Sequence, residues 1–147
     1  MALAKATLKQ GLKELFQNPN ADPLVLAGQW AGVMQTYASG LTPVSTAAAT
    51  AAAALKVSLA KLFVKPDPPQ VAGMDTAFMA FAAALAVGQL PLNTGIPPTA
   101  LPGFALPSPL VESHEDAAET FATRIHAWML KGKTALVAPP NSPGKWL

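Results

Sequence analysis

The sequence predicts an all-α protein, a five-helix bundle with a proline-rich apolar strap and an extended C-terminal tail. Three observations lead there. Leucine and aromatic residues recur every three or four positions in separate segments, capping residues and prolines bracket those segments, and alanine-rich stretches of high helix propensity lie between them.

The first helix is expected over about residues 4–17, where Leu8, Leu12 and Leu15 share one face with Phe16 beside them and Asn18-Pro19-Asn20 stops the run. Lys5, Lys9 and Lys13 share another face, which reads as a solvated stripe, with contact to phosphate or an acidic partner as the alternative. Asp22 before Pro23 is an N-cap with proline at the first helical position, placing helix two at 23–39 with Gly40 as its stop. Its expected buried stripe is Leu26, Trp30, Val33 and Tyr37, with Met34 alongside and Gly28 and Gly32 leaving a shallow face.

Thr42-Pro43 repeats the cap signal and predicts helix three over 43–63. Its first half is smooth with alanine and suited to close packing, while Leu55, Leu59 and Leu62 form a conventional buried stripe. Prolines 66, 68 and 69 force a loop over 65–70, since proline lacks a donor and clashes inside a helix. Helix four is expected over 74–87, with Phe78, Phe81, Ala82 and Leu85 on one face and burial nearly all round.

Residues 89–111 hold six prolines interleaved with apolar residues, among them Leu101, Phe104 and Leu106. Disordered prolines keep polar company, so this segment reads as an extended strap lying on helices or on a neighbour. Ser113, with Asp116 three residues later, opens helix five over 114–131. Glu112, Glu115, Asp116 and Glu119 put negative charge near its start, where the helix dipole favours it. Phe121, Ile125 and Trp128 supply its core stripe, and Gly132 reads as a left-handed stop.

A helical domain over 1–133 is therefore expected, followed by a C-terminal arm over 134–147. The arm holds Leu136, Val137, Pro139 and Pro140 and ends in Trp146-Leu147. These residues, with Leu101, Phe104 and Leu106 of the strap, are the expected partner-binding positions: proline lowers the ordering cost of docking, and tryptophan offers a large contact area.

Composition points the same way. The chain is 51% hydrophobic and only 12% charged, about half the usual charged share, so much of its surface is expected to face other protein. A net charge of +2 from scattered residues is too small to attract nucleic acid strongly. The uncharged stretches 23–55 and 76–111 are broken by glycine and proline before reaching the length of a membrane span. The N-terminal helix has no apolar signal-peptide core, which predicts a cytoplasmic product.

Cysteine is absent, and His114 and His126 stand twelve residues apart outside any zinc-binding spacing. Glu119 and His126 share a face but lie two turns, about 10 Å, apart, too far for direct proton transfer. With neither a phosphate loop nor a nucleophile elbow, the expectation is a non-enzymatic protein without cofactor or metal.

The order of features resembles small virion proteins of tailed bacteriophages. The likeness rests on the amphipathic start Ala6-Thr7-Leu8-Lys9-Gln10-Gly11-Leu12, the Trp30 helix and the alanine-rich middle. It extends through Ala77-Phe78-Met79-Ala80-Phe81-Ala82 and the closing Phe121-Ala122-Thr123-Arg124-Ile125-His126-Ala127-Trp128 before an extended tail. The resemblance implies an accessory structural protein of the virion, made in the host cytoplasm and placed in the tail, baseplate, neck or capsid surface. It also implies several copies bound to other virion proteins. A small bacterial helical adaptor and a holin-like membrane-active protein are the alternatives.

Overall fold

The computed structural model describes residues 3–18, 22–41, 45–64, 70–88, 93–98, 113–136 and 144–146. Five helices carry the fold: α1 Lys5–Gln17, α2 Pro23–Ala38, α3 Ala48–Val64, α4 Gln70–Val87 and α5 His114–Met129. Three short strands, β1 Asn93–Ile96, β2 Lys133–Leu136 and β3 Gly144–Lys145, form a small antiparallel sheet in the order β1-β2-β3. The class is all-α, with that sheet as an appendage packed beside α4.

Helix packing follows the series α4, α3, α2, α1, α5. Cross-helix contacts fix three directions. Gln29 donates to the Asn18 carbonyl at 3.2 Å while Gly11 faces Val33, so α1 and α2 are antiparallel. Lys5 meets Glu119 while Lys9 reaches Glu115, so α1 and α5 are antiparallel. Gly73 faces Leu62 while Ser45 meets Leu85, making α3 and α4 antiparallel too.

The caps of α2 and α5 are those expected. The Asp22 carboxylate accepts from the Leu24 N–H at 2.9 Å, and the Ser113 hydroxyl accepts from the Asp116 N–H at 3.1 Å. Each satisfies a backbone donor that the first helical turn leaves over.

Two helix starts differ from expectation. Helix α3 begins at Ala48, well after Pro43; residues 42–44 lie outside the described residues. Ser45 and Thr46 are instead bonded to the end of α4. The Ser45 hydroxyl donates to the Leu85 carbonyl at 2.7 Å, and the Thr46 N–H and hydroxyl both donate to the Gly88 carbonyl, at 3.0 and 3.1 Å. They thus serve carbonyls that α4 leaves unpaired at its C-terminus. Helix α4 begins at Gln70, four residues before the expected start. Gly73, in its first turn, lies where a Cβ would run into the Leu62 side chain, so it permits close approach to α3.

The core joins all five helices. Leu8, Leu12 and Leu15 of α1, Leu55 and Leu59 of α3, Phe78, Phe81 and Leu85 of α4, and Ile125, Trp128 and Met129 of α5 are buried. Trp30 sits among aromatic partners from three other elements. Its ring centroid lies 5.8 Å from Phe16, 6.2 Å from Phe78 and 6.4 Å from Phe121, each in an edge-to-face arrangement, the geometry that aromatic quadrupoles favour.

Four burial expectations need correction. Leu62 of α3 is only partly buried, at the margin of the core. The buried face of α2 is turned toward Ala27, Ala31, Met34 and Ala38 beside Trp30 and Tyr37, leaving Leu26 and Val33 at its margin. Phe121 is half-buried. Helix α4 is not buried all round, since Thr76, Ala80, Ala83 and Val87 form an exposed stripe along it.

The C-terminal segment departs most from an independent arm. Strand β2 crosses the expected boundary at 133/134 and pairs with β1, Asn93 opposite Leu136 and Ile96 opposite Lys133. Strand β3 returns along β2, with Lys133 opposite Lys145. Trp146 is then completely buried in the chain's own core, its N–H donating to the Gly132 carbonyl at 2.9 Å. Gly132 is needed for room, because a Cβ there would meet the Trp146 indole. Its backbone is not in the left-handed region, so it is not a stop of the expected kind.

Candidate interaction surface

Helix α3 has two apolar faces of different fate. Ala51, Ala52, Leu55 and Leu59 point into the core. On the opposite side Thr50, Ala53, Val57 and Val64 are exposed and Ala60 is half-buried. Val57 is 55% and Val64 69% exposed, so more than half of each of these aliphatic residues meets solvent. The successive spacings 50, 53, 57, 60 and 64 alternate three and four residues, the repeat that keeps a stripe aligned with a second helix. Lys56 and Lys61 flank the stripe, and α3 contains no acidic residue.

The lysine stripe of α1 does not face water alone. The Lys5 ammonium lies 2.5 Å from the Glu119 carboxylate, and Lys9 lies 3.2 Å from Glu119 and 3.5 Å from Glu115. Hydrogen bonds from Lys5 and then Lys9 hold the Glu119 carboxyl below the usual range, and Glu119 in turn raises Lys9. The acidic start of α5 therefore serves a helix–helix contact as well as the dipole. Spacing alone had no means of showing that the two stripes meet.

His126 is held by Tyr37, whose hydroxyl lies 2.7 Å from the His126 Nδ1. Burial pushes the Tyr37 phenol well above its ordinary value, so the phenol keeps its proton at neutral pH. Burial, with the nearby Lys5 charge, lowers the His126 imidazole. The pair fastens α2 to α5. Thr123 donates to Glu119 at 3.3 Å, leaving Glu119 engaged with Lys5, Lys9 and Thr123.

A cleft of about 560 Å³, open to solvent, runs between α1 and α2. Gly11, Gly32 and Val33 line it together with the polar side chains of Thr7, Gln10 and Glu14. Gly32 leaves open space where another residue would project a side chain.

Of the expected partner-binding residues, Trp146 is corrected: its indole is enclosed by its own chain and offers no surface to a neighbour. Leu136 belongs to β2. Val137, Pro139, Pro140, Leu147, Leu101, Phe104 and Leu106 lie outside the described residues. The exposed seam of α3 was missed as a site because Ala53 and Ala54 look no different in sequence from the buried Ala51 and Ala52. The three-four spacing of Val57 and Val64 with Ala53 and Ala60 was the available signal.

Among the described residues no group of histidine, aspartate and glutamate is placed to hold a metal ion, and no helix is long and apolar enough to cross a membrane. No known protein family, curated protein or solved structure matches the chain.

Proposed function

We propose that this chain is an accessory structural component of a tailed-phage particle, present in several copies in the tail, baseplate, neck or capsid surface. It binds other virion proteins through apolar helix faces and performs no catalysis. The observation that supports this reading is the outward seam of α3, where Val57 and Val64 stand exposed on a helix whose other face is fixed in the core. Aliphatic residues arrayed along one rigid helix make a ready contact surface. The low charge of the whole chain and the second exposed stripe on α4 agree with a protein enclosed by neighbours.

Mass spectrometry of purified particles from a phage encoding the chain tests the assignment. The protein is expected among the particle components at a fixed copy ratio. Its absence from intact particles rejects the assignment.

A further inference from the structure

We propose that the outer seam of α3 docks an amphipathic helix of opposite charge pattern, one whose apolar stripe is flanked by aspartate or glutamate. This deepens the structural assignment and rests on it only for the partner's place in a particle. The seam Thr50, Ala53, Val57, Ala60 and Val64 runs about 21 Å along the axis at 1.5 Å per residue. Written as heptads, Thr50, Val57 and Val64 take one core position and Ala53 and Ala60 the other. All three residues at the first position are β-branched, and the second is alanine throughout, which lets a partner backbone come close.

Charge selects among the possible occupants. Lys56 and Lys61 occupy the two flanking positions that face a partner's flanks across a coiled-coil seam. If two copies paired through α3 in parallel, Lys56 of one would face Lys61 of the other. Antiparallel pairing would set lysines opposite the equivalent lysines. Either arrangement opposes like charges, which favours a different helix bearing acidic flanks.

A bilayer surface is the poorer fit. Membrane-binding helices present leucine, phenylalanine or tryptophan, whereas this seam offers alanine, threonine and valine, with little area to insert but a smooth wall for a helix. The wall is also rigid, because Ala51, Ala52, Leu55 and Leu59 lock its inner side into the core and Ser45 ties its start to the end of α4.

The test uses the full chain and two synthetic helical peptides about three heptads long. Both carry alanine and isoleucine in the apolar stripe, with glutamate flanks in one and lysine flanks in the other. Fluorescence anisotropy is expected to show the acidic peptide binding about tenfold more tightly than the basic one, a preference that shrinks with added salt. The double substitution Lys56→Glu with Lys61→Glu should reverse that preference. Val57→Glu should abolish binding while circular dichroism and melting temperature stay unchanged. Equal binding of the two peptides, binding of neither, or retained binding by Val57→Glu overturns the proposal. Tighter binding to anionic phosphatidylserine vesicles than to the acidic peptide overturns it in favour of a membrane surface. Acidic-peptide binding by a chain absent from particles keeps the docking site and rejects the particle assignment, and the opposite pair of results does the reverse.

Discussion

Trp146 is seated against Gly132: its N–H donates to the Gly132 carbonyl at 2.9 Å, and its indole fills the space that any side chain at 132 would need. Trp146 thereby closes the chain's own core at the end of α5. Replacing it with alanine is expected to cost about 3–5 kcal/mol, the range for emptying a large buried aromatic site. Gly132→Ala should also destabilise, by forcing the indole out of place. Urea unfolding of both variants measures this, and a loss below about 1 kcal/mol for Trp146→Ala would show that the tail is separable from the fold.

Trp128 and Phe121 belong to the same helix, but Trp128 is buried and Phe121 is half-buried between Phe16 and Trp30. Trp128→Ala is expected to cost about 3–5 kcal/mol and Phe121→Ala less, since part of the phenylalanine already meets water. Equal losses in denaturant titrations would contradict the burial of this stripe.

His126 makes stability depend on pH. Burial lowers its imidazole below the ordinary 6.5, so the unfolded chain takes up a proton more readily than the folded one. Its contribution is full above about pH 6.5 and declines as pH falls through that value toward the lower folded pKa. Protonation also leaves Nδ1 able only to donate in its bond with the Tyr37 hydroxyl. Melting temperature followed from pH 8 to about pH 5 should fall at the acid end, and His126→Gln should flatten that fall. An unchanged slope in the variant would assign the transition to other groups.

Glu119 holds both Lys5 and Lys9 across the α1–α5 contact. Glu119→Gln is expected to lower the melting temperature slightly at low salt and hardly at all at high salt, since exposed ion pairs are weak and screened. Because its carboxyl is held low, its stabilising contribution is present above about pH 4.5 and lost as pH falls further, a window below that of His126. A loss independent of salt would show that Glu119 acts through packing instead.

Local signals placed most of the helices. Leu8, Leu12 and Leu15 repeat at helical spacing, and Asp22-Pro23 and Ser113 with Asp116 are caps whose partners lie within three residues. Contacts distant in sequence were not legible in the same way. Gly73 has no local signal for its role, because what it makes room for is Leu62 of another helix. Thr42-Pro43 looked like the start of α3 because nothing local shows Ser45 and Thr46 bonding the end of α4. Lysines spaced every four residues look alike whether they meet water or Glu119. Trp146 carried the largest error: a tryptophan after prolines suits a neighbour's pocket or its own core equally, and only the tertiary fold shows Gly132 leaving it room.

The exposed seam of α3 is the proposed contact face, and incorporation of a surface variant tests it most directly. Val57→Glu with Val64→Glu changes two exposed side chains and should leave the helical circular dichroism and melting temperature unchanged. Particles assembled in cells supplying only this variant should lack the protein, whereas wild-type chain supplied in the same way should be incorporated. Incorporation of the double variant at the wild-type copy number would contradict the assignment of α3 as the assembly face.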